Sequence, residues 1–321
     1  MGTIFPYCAF AVAMAIMSPA FASELQWYLG GLHANPRSEL TYSWALEYRH
    51  PLGNHLSGSF TWLNEGHVPG HHRDGQAIQL WWNTSHANRG PRLEVGLGPY
   101  RYFDTVDAAN ADRYANAHGL GLVASAGATW HIGGGWLTSL RINRVYVHDS
   151  IGSTAVAAGI GHRFGSISVG TSGAFHTVYR GRREFDAMVG ATVVNSFDSD
   201  ASLARAVALR VRATDHLTGS LTYLNEGDVQ RGRRAGLAPQ IWLEDDLTED
   251  LSVGVGVGPY FATRKPSAVD GRRASAVSAL ISITAAYAIS PGWIGRLIWN
   301  RVETDYDRDS DVVMLAVGYR F

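Results

Sequence analysis

From Trp136 to Asn143 the chain reads WLTSLRIN, and alternate positions belong to two different surfaces. Trp136, Thr138, Leu140 and Ile142 form one face. Leu137, Ser139, Arg141 and Asn143 form the other. The stretch WIGRLIWN repeats the arrangement, setting Trp293, Gly295, Leu297 and Trp299 against Ile294, Arg296, Ile298 and Asn300. A period of two predicts β-strands. The same alternation runs through 75–82, 92–100, 119–130 and 251–260, and breaker-rich stretches such as HPLGN and HIGGG separate the runs. No segment carries a long helical apolar stripe, so the chain is expected to be all-β.

The last strand suggests a membrane. Val313, Leu315, Val317, Tyr319 and Phe321 share one face, and Met314, Ala316, Gly318 and Arg320 share the other. An apolar outer face ending in aromatics suits a transmembrane barrel with an interfacial girdle. A C-terminal Phe closing such a strand resembles the assembly signal of Gram-negative outer-membrane barrels. That resemblance implies recognition of Phe321 by the barrel-assembly machinery and residence in the outer membrane.

The chain also repeats itself. HLSGSFTWLNEG (55–66) pairs with HLTGSLTYLNEG (216–227), and VGLGPY (95–100) with VGVGPY (255–260). Gly75, Ala77, Gln79 and Trp81 align with Gly236, Ala238, Gln240 and Trp242. The first half closes on GIGHRF as the second closes on AVGYRF. Each half reads as an eight-stranded unit, 23–164 and 165–321. The join HRFGSISVG looks as tight as a hairpin, which would give the eighth strand's free edge to a ninth strand. One antiparallel transmembrane barrel of about 16 strands, with an open lumen, is therefore the expected architecture. Two tandem eight-stranded barrels are the alternative. An additional alternating run, Ile167 to Tyr179, makes the strand count odd.

Composition narrows the setting. Charged residues are 17% and the net charge is −1, so no global field favours nucleic acid. The one cysteine, Cys8, lies in an apolar stretch from Ala9 to Met17 and its approach, followed by Ala20-Phe21-Ala22. This reads as a signal peptide over 1–22, removed near Ala22, which leaves an exported chain without cysteine.

Candidate chemistry follows from the polar faces. Glu65 and Glu226, Gln79 with Trp81, Gln240 with Trp242, and Asn143 and Asn300 are placed in the lumen, where indole planes and amides suit a saccharide. Arg231, Arg233, Arg234, Arg264, Lys265, Arg272 and Arg273 fall in loops, where Arg forks suit the phosphates of lipopolysaccharide. His67, His71, His72 and Asp74 are ligand types, but one loop without a closing set elsewhere assigns no metal, and no cofactor is expected. His148-Asp149-Ser150 just before the eighth strand resembles the site of outer-membrane lipid A 3-O-deacylases of the PagL type. That resemblance implies a Ser/His hydrolase at His148 and Ser150; the Asn that follows the serine in that family is Ile151 here. The leading expectation is a non-enzymatic pore or export channel for a saccharide-like solute. A lipid A-modifying esterase and a structural, lipopolysaccharide-binding barrel stand as alternatives.

Overall fold

The computed structural model describes residues 22–35, 39–84, 90–107, 114–148, 150–164, 183–196, 200–228, 233–265 and 274–321. The signal segment and the Ile167–Tyr179 run lie outside these. Sixteen strands are described. The first eight are β1 (Glu24–Asn35), β2 (Glu39–Pro51), β3 (Leu56–Val68), β4 (His71–Asn83), β5 (Pro91–Asp107), β6 (Tyr114–Gly133), β7 (Trp136–Val147) and β8 (Gly152–Arg163). The second eight are β9 (Arg183–Val194), β10 (Ala201–Arg212), β11 (Leu217–Asp228), β12 (Arg233–Asp246), β13 (Leu251–Arg264), β14 (Val277–Ala288), β15 (Trp293–Glu303) and β16 (Ser310–Arg320).

The single barrel of about 16 strands is not what forms: each half closes on itself, as two antiparallel eight-stranded barrels. β1 pairs with β8 from Glu24↔Arg163 to Asn35↔Gly152, and β9 pairs with β16 from Glu184↔Arg320 to Val194↔Ser310. The physical reason is edge satisfaction. β8 has two edges, β7 takes one, and the full-length ladder to β1 takes the other, leaving none for β9. The turn expected at HRFGSISVG runs into 165–182, outside the described residues.

In each barrel the chain termini and the even-to-odd turns share one end, here the terminal end. The odd-to-even turns share the other, the loop end. Much of what reads as outer loop is strand. β3 runs to Val68 and β4 starts at His71, so only Pro69-Gly70 turn the chain.

Face assignment follows the period-two reading. In β16, Val313, Leu315, Val317 and Tyr319 are exposed while Met314 and Ala316 are buried. Leu221 and Tyr223 likewise face out, whereas Phe60 is buried and Trp62 half-buried. The twice-written LNEG motif makes a β-bulge. The register slips between Asn64 and His67 and between Asn225 and Asp228. Gly66 (φ 66°) and Gly227 (φ 80°) take the left-handed conformation there. The Asn64 and Asn225 side-chain carbonyls accept the glycine N–H groups at 3.1 and 3.0 Å. A Cβ at Gly66 would overlap the Tyr42 carbonyl oxygen.

Closure within the first half has a direct check. Leu29 and Ala158 are register partners across the β1–β8 seam. With Cys8 replaced by serine, the variant Leu29→Cys/Ala158→Cys is expected to form an intramolecular disulfide, seen as a reductant-sensitive shift on non-reducing electrophoresis. Absence of the shift would contradict closure.

Candidate functional site

Eight strands enclose an interior only wide enough for side chains, and both interiors are filled with ion pairs. In the first barrel three carboxylates and four guanidiniums interlock. Arg92 binds Glu24 through two contacts of 2.7 Å, and Arg163 joins Glu24 at 3.0 Å. Arg49 reaches Glu94 at 2.5 Å and Glu47 at 2.9 Å, and Arg141 reaches Glu47 at 2.7 Å. In the second barrel Arg296 pairs with Glu184 and lies 3.4 Å from Asp186, and Arg210 lies 2.5 Å from Glu244. The wall supplies hydroxyls: Thr61 donates to Glu47 at 3.0 Å and Thr218 to Glu244 at 2.6 Å. A buried charge is tolerable only when paired and hydrogen-bonded.

The expected sugar-facing residues belong to this packing. Trp81 and Trp242 are 0% and 2% exposed. Their indole N–H groups donate to Ser59 and Ser220 at 2.8 Å. The Arg49 and Arg141 guanidiniums lie over the Trp81 ring at 4.0 and 4.6 Å from its centroid, and Arg210 lies over Trp242 at 4.4 Å. Gly96 and Gly256 make the room, since a Cβ at either would overlap the indole. Gln79 donates to Ser125 and Gln240 to Ser282, and Ser282 donates to Asn300. Asn143 is buried. A cavity of about 30 Å³ lies beside Arg210 and Glu244, and one of about 20 Å³ beside Glu65, Asn143 and Ser153. Each has room for about one or two waters and is too small for a sugar.

The Glu after the LNEG asparagine points into each barrel near the loop end. Glu65 takes a two-point ion pair from Arg73 at 2.5 and 2.8 Å, the Tyr100 hydroxyl at 2.8 Å, and the Ser153 hydroxyl. Glu226 repeats this with Arg234 at 2.6 and 2.5 Å and with Ser310 at 2.6 Å. Arg234 is therefore buried, and its placement in an anion-binding loop is corrected: an arginine eight residues after an inward glutamate pairs across the bulged hairpin. Arg233 is exposed and sits 3.5 Å from Asp228. Arg264 is exposed, while Lys265 donates to the Ala274 carbonyl. Arg231, Arg272 and Arg273 lie outside the described residues.

At the first barrel's loop end a serine, a carboxylate and a histidine meet. Ser150 donates to Asp104 Oδ2 at 2.7 Å and accepts from Arg73 Nη1 at 3.1 Å. His71 Nδ1 lies 2.8 Å from the same Oδ2. His148 is exposed. The four histidine-loop residues do not converge, because His71 turns to Asp104 while the His67 and His72 rings meet at 4.1 Å between centroids, tilted by 36°.

Asp104 and the interior charges were missed in the sequence. A signal existed for the latter. Glu47/Arg49, Arg92/Glu94 and Glu184/Asp186 are charges two residues apart on the inward parity of their strands.

No protein-family model and no curated protein matches the sequence. Among solved structures, the N-terminal β-barrel domain of Pseudomonas aeruginosa OprF aligns at a TM-score of 0.37 and 12% identity, over 45% of this chain and 98% of that one. Neisserial surface protein A aligns at 0.34 and 14%, over 46% and 98%. The translocator domain of the autotransporter NalP from Neisseria meningitidis covers 98% of this chain and 93% of its own, at 0.21 and 11%. At these scores the fold rests on the strand pairing described above, not on the likeness.

Breaking one partner of a buried pair strands the other charge. Glu65→Ala is expected to destabilise the first barrel by about 3–5 kcal/mol. Adding Arg73→Met is expected to restore part of that loss, as measured by urea titration of folded and unfolded bands.

Proposed function

We propose that the protein is an integral outer-membrane protein whose two barrels each cross the bilayer as closed, non-conducting units. One observation carries this: polarity is inverted relative to a water-soluble barrel. The inside holds the charges. The outside of the first barrel exposes Trp27, Leu29, Leu80, Trp82, Leu97, Leu140 and Val156. The outside of the second exposes Val189, Leu203, Leu209, Leu221, Ile241, Leu297 and Leu315. Contiguous apolar surface of that extent is not kept against water, whereas a lipid-facing barrel requires it.

The terminal end carries the aromatic girdle of such a barrel. Trp82 and Trp136 mark it in the first unit, and Tyr287, Trp293 and Tyr319 in the second, with Trp293 and Tyr319 edge-to-face at 5.1 Å. Periplasmic chain ends then place the loop ends at the outer leaflet. There the exposed Arg233 and Arg264 suit lipopolysaccharide phosphates by charge. Passage of a saccharide through either lumen has no support, since the proposed contact residues are buried and Gln79, Trp81, Gln240 and Trp242 are hydrogen-bonded to hydroxyls of the barrel wall.

Two measurements test the reading. Refolded protein is expected to show a heat-dependent electrophoretic shift and no unitary conductance in planar bilayers; discrete steps would contradict the closed lumen. Leu315→Arg, on the outer face, is expected to cost about 2–4 kcal/mol if it sits near the midplane. An unchanged urea midpoint would contradict lipid contact there.

A further inference from the structure

Just past the LNEG bulge, the hairpin of each barrel sets one residue of its odd strand directly opposite one of its even strand, and the two halves fill this position differently. In the second barrel the register partners are Asp228 and Arg233, an exposed ion pair at 3.5 Å. In the first barrel the residues at the same places of the repeat are His67 and His72. Opposite charge accounts for the first pair. Two imidazoles facing each other have no such attraction, yet their ring centroids are 4.1 Å apart with the planes tilted by 36°. Among the described residues the His67 ring makes no hydrogen bond or ion pair, and its ring contacts are those with His72 and Tyr42.

The pair lies on the outer face. Glu65 and Arg73 point inward, the bulge turns His67 to the opposite side, and His72 immediately precedes Arg73. His67 is exposed and His72 half-buried. The backbone beneath them is held in place. The Gly66 N–H donates to the Asn64 side-chain carbonyl at 3.1 Å, and the His67 N–H donates to Thr41 Oγ1 at 3.2 Å. Pro69 and Gly70 close the turn, with Gly70 at φ 74°.

We propose that His67 and His72 form a chelating site for a first-row divalent transition-metal ion on the outer face of the first barrel's loop end, with Cu2+ bound most tightly. Neutral imidazole suits Cu, Ni and Zn, and at a given nitrogen site Cu2+ leads the divalent series. Ca2+ and Mg2+ require oxygen ligands, which two imidazoles do not offer. Two nitrogens that share an ion, each at about 2.0–2.1 Å from it, stand about 3 Å apart. Rings with centroids 4.1 Å apart reach that separation by turning about their own side-chain bonds, with the strand register unchanged. Strand pairing supplies what the run HVPGHHRD alone does not show. It opposes His67 to His72, while His71 turns to Asp104 Oδ2 at 2.8 Å and takes no part. Two protein ligands leave the remaining positions of the ion to water. The site needs only the β3–β4 hairpin and is independent of the membrane reading.

Full-length protein without a polyhistidine tag, with Cys8 replaced by serine, is folded in micelles and shown to be β-structured by circular dichroism. It is then titrated with CuCl2 in equilibrium dialysis and by electron paramagnetic resonance. The expected result is a Cu2+ site with one ion per chain and imidazole-nitrogen coupling in its spectrum. His67→Asn and His72→Asn are each expected to weaken binding about 100-fold, because removing one arm of a chelate removes its effective-concentration gain. His71→Asn is expected to leave the affinity unchanged. A folded wild type that binds Cu2+ no better than the His67→Asn/His72→Asn double variant overturns the proposal, as does either single variant that binds as the wild type does. A loss in His71→Asn as large as in the other two overturns the assignment to this pair.

Discussion

The narrowness of an eight-stranded barrel is the constraint from which the rest follows. Its interior has no space for bulk water, so each inward charge must find its neutralising partner on another inward strand face. Glu24 with Arg92, Glu47 with Arg141, and Glu184 with Arg296 are the result. These pairs link strands distant in sequence, such as Glu47 and Arg141 on β2 and β7. They therefore hold the barrel across its diameter as the backbone ladder holds it around its circumference. In lipid the outer surface offers no hydrophobic gain to fold against, which makes interior pairing the more decisive term.

The strand faces and the duplication were readable because each depends on one local property. Period-two alternation sorts Leu315 outward and Met314 inward whatever surrounds them. The LNEG motif recurs because its three polar or small residues form a unit: Asn caps the bulge, Glu points inward to Arg73 or Arg234, and Gly takes the positive φ.

Pairing was not readable for the opposite reason. Which edge β8 meets is decided by backbone hydrogen bonds common to every strand, and side chains do not encode it. A terminal HRF on the first half was the one available hint that it ends as the second half ends. The roles of Trp81 and Gln79 were misread likewise. Aromatic and amide side chains on an inward face suit a sugar if the lumen is open and an arginine if it is closed, and strand closure alone separates the two. Asp104 and His71 are brought to Ser150 by β5 and β4, 46 and 79 residues away in sequence by simple subtraction of their numbers, so no spacing rule could group them.

The most direct test of the account is backbone NMR of the full chain in detergent micelles. Two closed barrels require cross-strand NOEs between Leu29 and Ala158 and between Val189 and Leu315, the register partners at each seam. A single larger barrel would instead join β1 to β16 and β8 to β9, and NOEs of that kind, with those two seams missing, would contradict it.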